Sequence, residues 1–424
     1  MSTISARDLF RINESILKRV NKELTYHGLE TAYIVYKVLK KLNYNEKDIY
    51  TITSLAFLHD IGAYKTDIVA NLEEYHIEDT SKHSIYGYEL LKYTDLFKKE
   101  ASIILYHHHS YEDKDMLIDN IPIKKEAFLI ALADNISLIS GILDYDEEKI
   151  LNYISNIDKN RFKEEHVEAL LELIEEGLIK DIISGGYRES FVKERSSNII
   201  MSQSRLEKYV VLLPLSIDFF SFETSIHTVG VYCITRKLCE KLSLPKSDIE
   251  SIKMGALLHD LGKVCIPKHI LEKEGRLLDE EYEIMKKHVI YTKEILEDAK
   301  IDKDIIHLAC SHHEKLNGEG YPSKLKEEEL SIGDRIITIS DIFCALTEKR
   351  HYKKAFSKDR VTTILLEMVE KGQIDIHITN KLIENYDEIL QESVKERRIF
   401  ESALKNMLKD YEKISNKMDE LIMV

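Results

Sequence analysis

Eight side chains in the second half of the chain could ligate metal ions, and none of them is a cysteine. Imidazole and carboxylate donors in this combination suit iron, manganese, nickel or zinc. Eight donors are too many for one ion, so the set predicts a cluster of two or three divalent transition-metal ions. Sites of that kind activate water for attack on phosphorus. The eight residues are Glu223, His227, His259, Asp260, His288, His312, His313 and Asp341.

The spacing of these donors indicates the elements that must position them. Glu223 and His227 are four residues apart, so a helix would place both on one face. The adjacent pair His259 and Asp260 follows the apolar stretch IKMGALL and precedes a glycine, which predicts ligands at the end of a helix. The later His-His pair repeats this arrangement, and the final aspartate lies in another apolar stretch that predicts a buried helix.

Each of these residues has an ordinary explanation when it is taken alone. A single histidine on an apolar helix is more often a hydrogen-bonded core residue, and a single aspartate is usually a helix cap or half of a salt bridge. The metal prediction depends on their joint occurrence, which the chain shows twice at matching intervals. Four other histidines fit no such pattern: His269, His307, His351 and His377.

The first half of the chain repeats the donor pattern. His27 and His59 are 32 residues apart, as are His227 and His259, and each set begins with a glutamate four residues earlier. His83 and His107 are 24 residues apart, as are His288 and His312. These matches predict duplication of one helical metal-binding domain. The candidate ligands of a second metal site in the first copy are Glu23, His27, His59, Asp60, His83, His107, His108 and Asp134.

The first copy lacks the groups that the second copy could use to bind phosphate. Ala63 is the counterpart of Lys263, and HHHSYEDKDML stands where the second copy has HHEKLNGEGYP. Nothing after Asp134 matches Arg350 and Lys353. We interpret the first copy as a metal-loaded domain that is catalytically weak or regulatory. The alternatives are a second active site for a different phosphoester and an empty structural domain.

Several motifs of the second half occur in the order typical of one known family. HDLGK, an isolated histidine, HHEKLNGEGYP and SDIFCALTEKRHYKKA all lie within residues 205–390. In this respect the chain resembles the HD-GYP phosphodiesterases, a subfamily of the HD metal-dependent phosphohydrolases. The resemblance implies hydrolysis of cyclic di-GMP to linear pGpG, with GMP as a further possible product, in bacterial second-messenger signalling. Iron or manganese would be the favoured cofactor.

The resemblance also implies roles for individual residues. Asp260 and Lys263 would act in catalysis, Lys263 by contacting phosphate and stabilising the transition state. The chain departs from the family at Asn317 and Cys344, where aspartate is usual. The change at Cys344 removes a carboxylate that could orient Arg350 and Lys353, and so it affects the choice of substrate and the rate of hydrolysis. The substrate-binding residues would be Lys263, Gly320, Tyr321, Pro322, Arg350 and Lys353.

Two alternatives to cyclic di-GMP hydrolysis stay open from the sequence. The same chemistry could act on a mixed cyclic GMP-AMP dinucleotide. Selectivity between the two substrates would depend on the shape of the pocket around the GYP loop, the segment that contains residues 318–322. The second alternative is a non-catalytic receptor that binds the dinucleotide and signals through the tail. The complete ligand set argues against this receptor.

Composition predicts an all-α protein. The 424 residues include only 5 Pro and 15 Gly, and helix-forming Leu, Ile, Glu and Lys dominate. We therefore predict tandem HD-type helical bundles followed by an amphipathic helix. The expected parts are an HD-like domain without a GYP motif at 1–199, an HD-GYP catalytic domain at 200–392 and a helical tail at 393–424.

Charge and hydropathy exclude several classes of partner. With 60 basic and 75 acidic residues the net charge is −15, which argues against binding of polymeric nucleic acid. The N-terminus is unlike a signal peptide, and no apolar run reaches the roughly 18 residues of a membrane-spanning helix. Five cysteines without a CxxC suit a reduced compartment. We therefore expect a cytoplasmic protein that does not bind membranes.

The C-terminal tail contains apolar residues at alternating steps of four and three. Such a seam is typical of about three heptads. It predicts either a short coiled coil that joins two chains in a homodimer or a terminal helix folded onto its own domain. The residues of the seam are Phe400, Leu404, Met407, Tyr411, Ile414, Met418 and Leu421.

Overall fold

The computed structural model describes residues 6–20, 22–63, 80–93, 97–187, 191, 222–348 and 355–422. Within these ranges every regular element is a helix, apart from one isolated bridge between Asn317 and Lys326. The prediction of an all-α protein is therefore confirmed.

Every regular element in the first half of the described chain is a helix. Two 3-10 helices, Tyr111–Asp113 and Lys159–Arg161, lie in the connections. The α-helices are α1 (Ala6–Val20), α2 (Lys22–Lys41), α3 (Glu46–Phe57), α4 (Thr80–Tyr93), α5 (Ser102–Leu105), α6 (Glu126–Ile142), α7 (Glu147–Ser155), α8 (Glu164–Glu175) and α9 (Leu178–Ser184).

The second half has a similar succession of helices and ends in a long one. Two 3-10 helices, Leu261–Cys265 and Glu327–Glu329, lie in its connections. The α-helices are α10 (Phe222–Lys241), α11 (Lys246–Leu258), α12 (Lys268–Leu271), α13 (Asp279–Lys286), α14 (His288–Asp298), α15 (Lys303–Cys310), α16 (Ile332–Thr347), α17 (Lys358–Glu370), α18 (Ile376–Glu384) and α19 (Tyr386–Ile422).

The described residues form two compact units. The first unit draws on Leu17–Ile199 and Lys405–Val424, and the second unit on Met1–Ile16 and Ile200–Leu404. The last part of α19 thus belongs to the first unit and its earlier part to the second. The domain limits expected from the sequence remain a prediction.

The core of the second unit lies among α10, α11, α16, α17 and α18, whose apolar faces pack against each other. Leu238 of α10, Ala256 of α11 and Phe343 of α16 are all buried in one cluster with residues of α17 and α18. The burial of these faces removes apolar surface from water and stabilises the bundle. This packing fixes α10, α11 and α16, which carry or directly precede several of the candidate ligands.

Local sequence determines where α16, the helix that carries Asp341, begins. The Ser331 hydroxyl accepts the backbone N–H of Asp334, and the Asp334 carboxylate accepts the backbone N–H of Ser331. This capping box satisfies backbone donors that would otherwise be unpaired at the start of α16. Arg335 also pairs with Asp375, at 2.9 Å between Nη1 and Oδ2, and so anchors α16 to α18.

Two glycines allow equivalent close contacts in the two units. A Cβ atom on Gly62 would lie 2.1 Å from the carbonyl oxygen of His83, and one on Gly262 would lie 2.0 Å from that of His288. The Gly262 N–H also donates to the Thr292 hydroxyl at 2.8 Å. Only glycine permits the turn after each His-Asp pair to approach the next ligand helix this closely.

The apolar seam of the tail is buried within a single chain. Met407, Ile414 and Met418 are each less than a tenth exposed, and they belong to the part of α19 that packs in the first unit. Lys92 Nζ lies 2.9 Å from Asp410 Oδ2 in the same unit. The seam therefore folds onto its own chain, and the homodimer remains a prediction.

Among the described helices, none combines the length and apolar character that a bilayer-spanning segment requires.

The close approach at Gly262 leads to a stability prediction. Replacement Gly262→Ala should lower the free energy of unfolding of the second unit by roughly 1–3 kcal/mol, because the new methyl group would overlap the His288 carbonyl. Urea unfolding followed by circular dichroism measures this change. Gly141→Ala is the matched control, because a Cβ atom there meets nothing within 4 Å and alanine favours the helix. Equal unfolding midpoints for Gly262→Ala and the wild type would contradict the packing argument.

Candidate metal centre

Three histidines of the second unit are held in the same way by backbone carbonyls. The Nδ1 atom of His259 lies 2.7 Å from the Ala256 oxygen, and that of His312 lies 2.9 Å from the Ala309 oxygen. His288 Nδ1 contacts the carbonyl three residues earlier at 2.7 Å. A carbonyl oxygen can only accept a hydrogen bond, so Nδ1 carries the proton of each neutral ring. The lone pair is then on Nε2, the atom that faces the other ligands.

The three Nε2 atoms converge on Asp260. They lie 3.2 Å from Oδ2 for His259, and 3.4 Å and 3.9 Å from Oδ1 for His288 and His312. All four side chains are buried. His259 and Asp260 directly follow α11, and His312 directly follows Ser311 at the end of α15, so the expected placement of ligands at helix ends is observed.

A second group of donors surrounds Asp341 in the middle of α16. His227 Nε2 lies 3.0 Å from Asp341 Oδ1, and His313 Nδ1 lies 3.9 Å from Asp341 Oδ2. His227, His259 and Asp341 offer ligand atoms within 4.8 Å of one another, and so do His288, His312 and His313. Two adjacent groups with these donors fit two or more ions.

A buried nitrogen without a hydrogen-bond partner also supports a metal site here. His259 Nε2 is fully buried and has no hydrogen-bond partner with acceptable geometry, although a carboxylate lies nearby. A buried polar atom without a partner costs roughly 1–3 kcal/mol, and a coordinated ion would remove that cost. The donors are imidazole and carboxylate, the set that divalent transition metals prefer. The clusters could therefore hold metal ions.

The electrostatics of the site keep His288, His313 and Asp341 in the form that binds metal. Burial lowers the pKa of His288 to about 3 and that of His313 to about 4, so both rings are neutral at neutral pH. Burial alone would raise the pKa of Asp341, but the His227 ring, 3.0 Å away, and the other nearby rings keep it well below its usual value. Neutral imidazoles and an ionised carboxylate bind a cation without first losing a proton.

The first unit contains the same arrangement. His27 Nε2 lies 2.8 Å from Asp134 Oδ1, and His59 Nε2 lies 3.3 Å from both Asp60 Oδ2 and Asp134 Oδ1. His83 Nε2 is 3.3 Å from Asp60 Oδ1. Two further candidate ligands, His107 and His108, complete a group with Asp60 and His83.

The first unit also uses the same device to direct its rings. His59 and His107 place Nδ1 at 2.8 Å and 2.6 Å from carbonyl oxygens three residues earlier. Their Nε2 atoms are buried without hydrogen-bond partners. Burial lowers the pKa of His108 to about 4. The physical argument for a metal therefore applies to both units.

The residues around the two clusters differ. In the second unit Lys263 forms an ion pair with Asp260 and is about one-fifth exposed on the wall of a cavity of about 770 Å³. His288 and His313 also line this cavity. In the first unit Ala63 stands at the equivalent position and is buried. Only the second cluster therefore has a lysine cation beside it among the described residues.

The GYP loop is held over the cluster by a buried glutamate. Glu314 accepts the backbone N–H groups of Ser323 at 2.7 Å and Leu325 at 3.0 Å. The Tyr321 N–H donates to the His313 carbonyl, and the two rings lie 4.7 Å apart between centroids. Burial raises the pKa of Tyr321, which therefore keeps its phenolic proton.

Two glycines of this loop occupy positions where a larger residue would be strained. Gly318 has a φ of +78°, and a Cβ atom on Gly320 would lie 2.4 Å from the Cα atom of Glu314. Tyr321 lines the large cavity together with Gly320, whereas Pro322 lines a separate cavity behind the loop. Substrate contact by these three residues remains a prediction.

Several predicted site residues lie outside the described part of the structure. The side chains of Glu23 and Glu223 are not described, although their helices α2 and α10 are. The basic pair Arg350 and Lys353 also falls outside the described residues. The assignment of these four residues stays a prediction.

Three residues near the site were not identified from the sequence. Glu314 follows the His-His pair and holds the loop, Glu348 contacts His227, and Tyr282 lines the cavity. The motif HHE signals Glu314 because a carboxylate directly after two ligands is unusual in a surface turn. Glu348 and Tyr282 have no local signal, since a glutamate or tyrosine in a charged helix is common.

The chain matches family models over both units. Residues 199–378 match one model described as an HD domain, and residues 24–139 match another with the same description. Both matches include the His-Asp pair of their unit, which gives the domain its name. The chain is thus an all-helical protein with two HD domains.

Named relatives extend this result. Over 407 residues the chain is 25% identical to 3'3'-cGAMP-specific phosphodiesterase 1 of Vibrio cholerae, covering 93% of this chain and 94% of that protein. It is 36% identical over 202 residues to 3'3'-cGAMP-specific phosphodiesterase 2 of the same organism, covering 46% and 37%. A cyclic di-GMP phosphodiesterase of Thermotoga maritima is 26% identical over 241 residues, covering 53% and 62%.

A solved structure has the same fold. The crystal structure of a cyclic GMP-AMP-specific phosphodiesterase of Vibrio cholerae aligns with a TM-score of 0.57 and 19% identity, covering 91% of this chain and 98% of that one. With these matches and the motifs HDLGK and HHEKLNGEGYP, the chain belongs to the HD family and its second domain is of the HD-GYP type.

The paired clusters lead to a prediction about metal content. The double replacement His59→Ala with Asp60→Ala should remove the metal of the first unit, and His259→Ala with Asp260→Ala that of the second, because each pair contributes central donors. Mass spectrometry of the purified protein measures metal per chain.

The matched control for metal content is His377→Ala, which removes an exposed histidine outside both clusters. It should retain the wild-type metal content. If the first pair of replacements leaves the metal content unchanged, the first unit holds no ion.

Proposed function

We propose that the second unit hydrolyses a cyclic dinucleotide at one phosphodiester bond. The observation that carries this proposal is the convergence of two donor groups on Asp260 and Asp341 beside Lys263, at the wall of a cavity of about 770 Å³. That volume is within the range of small-molecule sites and accommodates a dinucleotide. The relatives named as cyclic dinucleotide phosphodiesterases support the same class of substrate.

In the proposed reaction the oxygen of water bonds to phosphorus while the bond from phosphorus to the 3' ribose oxygen breaks. The departing oxygen takes up a proton, and a linear dinucleotide with a 5' phosphate results. Divalent ions, when bound, supply Lewis acidity and lower the pKa of water at such sites. His259, His288 and His312 present neutral Nε2 atoms that would hold these ions.

Lys263 would stabilise the charge that builds up on the phosphate. Its ammonium group pairs with Asp260 in the buried cluster and also lines the cavity. A cation fixed beside the reacting phosphate acts most strongly where charge develops in the transition state. The carboxylate of Asp260 keeps this cation in place, because the two side chains are three residues apart on one turn.

We favour the mixed GMP-AMP dinucleotide as substrate, and cyclic di-GMP is the second candidate. A relative that matches across both HD domains is named a 3'3'-cGAMP-specific phosphodiesterase, whereas the Thermotoga maritima cyclic di-GMP phosphodiesterase matches about half of this chain. This order reverses the one expected from the motifs alone. The motifs support hydrolysis, and they are compatible with either pair of bases.

For the first unit we propose metal binding without hydrolysis. Its ligands have the same geometry as those of the second unit, but Ala63 replaces the lysine and the GYP loop is missing. Without a cation beside the cluster, a bound phosphoester would have less charge stabilisation in the transition state. The unit would then serve as a metal-stabilised regulatory domain.

Turnover by the manganese- or iron-loaded protein tests the proposed reaction. With equal concentrations of cyclic di-GMP and 3'3'-cGAMP present together, we expect linear products from both and faster loss of the mixed dinucleotide. Chromatography with mass detection measures each product. Tight binding without any linear product, in protein with confirmed metal content, would instead indicate a receptor.

Replacement Lys263→Met should lower kcat by about 100-fold to 1,000-fold, with a smaller change in KM, if the lysine acts mainly in the transition state. Steady-state kinetics on the preferred dinucleotide measures both constants. Lys303→Met, an exposed lysine of the same unit, is the control and should keep wild-type kinetics. A Lys263→Met enzyme with wild-type kcat would exclude the assigned role.

The cavity wall offers a further test at Tyr282. This ring is 47% exposed, and Lys286 Nζ lies 5.4 Å from its centroid and 5.7 Å from that of Tyr321. Stacking of a base on an aromatic ring contributes about 1–3 kcal/mol, so Tyr282→Ala should raise KM at least about fivefold.

Tyr282→Phe keeps the ring and should leave KM within about twofold of the wild type, because stacking does not need the hydroxyl. Steady-state kinetics with both dinucleotides measures the two variants. Equal KM values for Tyr282→Ala and Tyr282→Phe would rule out base stacking at this position.

A further inference from the structure

The two units hold one equivalent ligand in different ways. In the first unit His27 Nδ1 lies 2.9 Å from the hydroxyl of Ser137, three residues after Asp134. In the second unit the residue three after Asp341 is Cys344, which has no hydroxyl or carboxylate. His227 Nδ1 instead lies 3.2 Å from Glu348 Oε2. The same nitrogen therefore faces a neutral partner in one unit and a carboxylate in the other.

The position of Glu348 follows from the end of its helix. Glu348 is the residue after α16 and adopts an extended backbone, and its N–H still donates to the Cys344 carbonyl at 2.9 Å. The chain therefore leaves the helix one full turn beyond Cys344, on the side of His227. The Glu348 side chain is only 6% exposed, so its contact with the imidazole is screened little by water.

The second oxygen of Glu348 faces a buried cation. Arg397 Nη1 lies 3.5 Å from Glu348 Oε1, and Arg397 is 8% exposed. Its Nε atom contacts the Ser393 carbonyl at 3.4 Å within α19. One carboxylate thus connects a metal-ligand candidate on α10 with an arginine on α19. A buried carboxylate requires compensation of this kind, because burial of an unpaired charge is costly.

We propose that Glu348 is a positioning residue that fixes the ring of His227 and strengthens it as a metal ligand, with Arg397 holding the carboxylate in place. This inference rests on the metal-binding role of His227 that underlies the proposed function. An N–H donated from Nδ1 to a carboxylate directs the Nε2 lone pair toward the cluster and makes the imidazole a stronger donor. The Ser137 hydroxyl can direct His27 but carries no charge.

The proposal has a specific consequence for the two units. The ion next to His227 is held more tightly than the ion next to His27, because only His227 has a charged partner on Nδ1. Removal of such an outer partner from a metal-binding histidine typically lowers metal affinity about 10-fold to 100-fold. The difference concerns binding of metal alone and requires no substrate.

The experiment measures manganese affinity and manganese release to a chelator for the full-length protein without substrate. Glu348→Gln should weaken the tightest manganese binding at least about tenfold and speed release by a similar factor. The double variant Glu348→Gln with Cys344→Ser should recover part of this loss, because it recreates the hydroxyl that the first unit uses. Ser137→Ala should weaken only the weaker class of sites.

Unfolding of the metal-free variants separates positioning from simple packing. If Glu348 acts on the metal, metal-free Glu348→Gln should melt close to the metal-free wild type while its manganese affinity falls. Unchanged affinity and release in Glu348→Gln would overturn the proposal. A loss of affinity matched by collapse of the metal-free protein, with no recovery in the double variant, would overturn it too.

These outcomes are independent of hydrolysis. A protein that binds manganese as expected and converts no cyclic dinucleotide would refute the proposed function and leave the role of Glu348 intact. A protein that turns over its substrate while Glu348→Gln keeps wild-type manganese binding would do the reverse.

Discussion

The free-energy cost of burying histidine and aspartate side chains inside a helical bundle is the constraint on which both units depend. His59, His107, His259 and His312 are fully buried, and each ring has one nitrogen satisfied by a carbonyl three residues earlier. The other nitrogen faces carboxylates and further rings. A leucine core would avoid this cost altogether. So many buried donors at matching positions in two units therefore require partners, and metal ions would satisfy their atoms.

Much of this arrangement could be predicted, because the candidate ligands recur at the same sequence intervals in both halves of the chain. The step from His27 to His59 equals that from His227 to His259, and each interval spans a helix pair that returns the chain to the same place. The helix-end position of the His-Asp pair followed from an apolar run and a glycine. Glu348 could not be predicted, since its role depends on where α16 ends and on Arg397, 49 residues later. The tail seam was ambiguous because a self-folded helix and a coiled coil share one periodicity.

The two units have the same set of candidate metal ligands and differ in the residues around them. Helix ends, carbonyl contacts and distances around Asp60 and Asp260 are nearly the same. Ala63 and Lys263 lie three residues after the aspartate of their unit, and only the lysine can form an ion pair with it. The residue beside the His-Asp pair can therefore differ between the units while the candidate ligands stay the same.

The first unit differs from the second in a further way, because it lacks the GYP loop. In the second unit Glu314 accepts two backbone N–H groups of the loop with its two oxygens. The equivalent residue of the first unit, directly after the His-His pair, is His109, and an imidazole has at most one acceptor nitrogen. A loop of the same shape would leave a backbone donor unsatisfied there, even if its glycines were restored. The anchoring residue and the loop therefore depend on each other, and a GYP-type loop in the first unit would require changes at both.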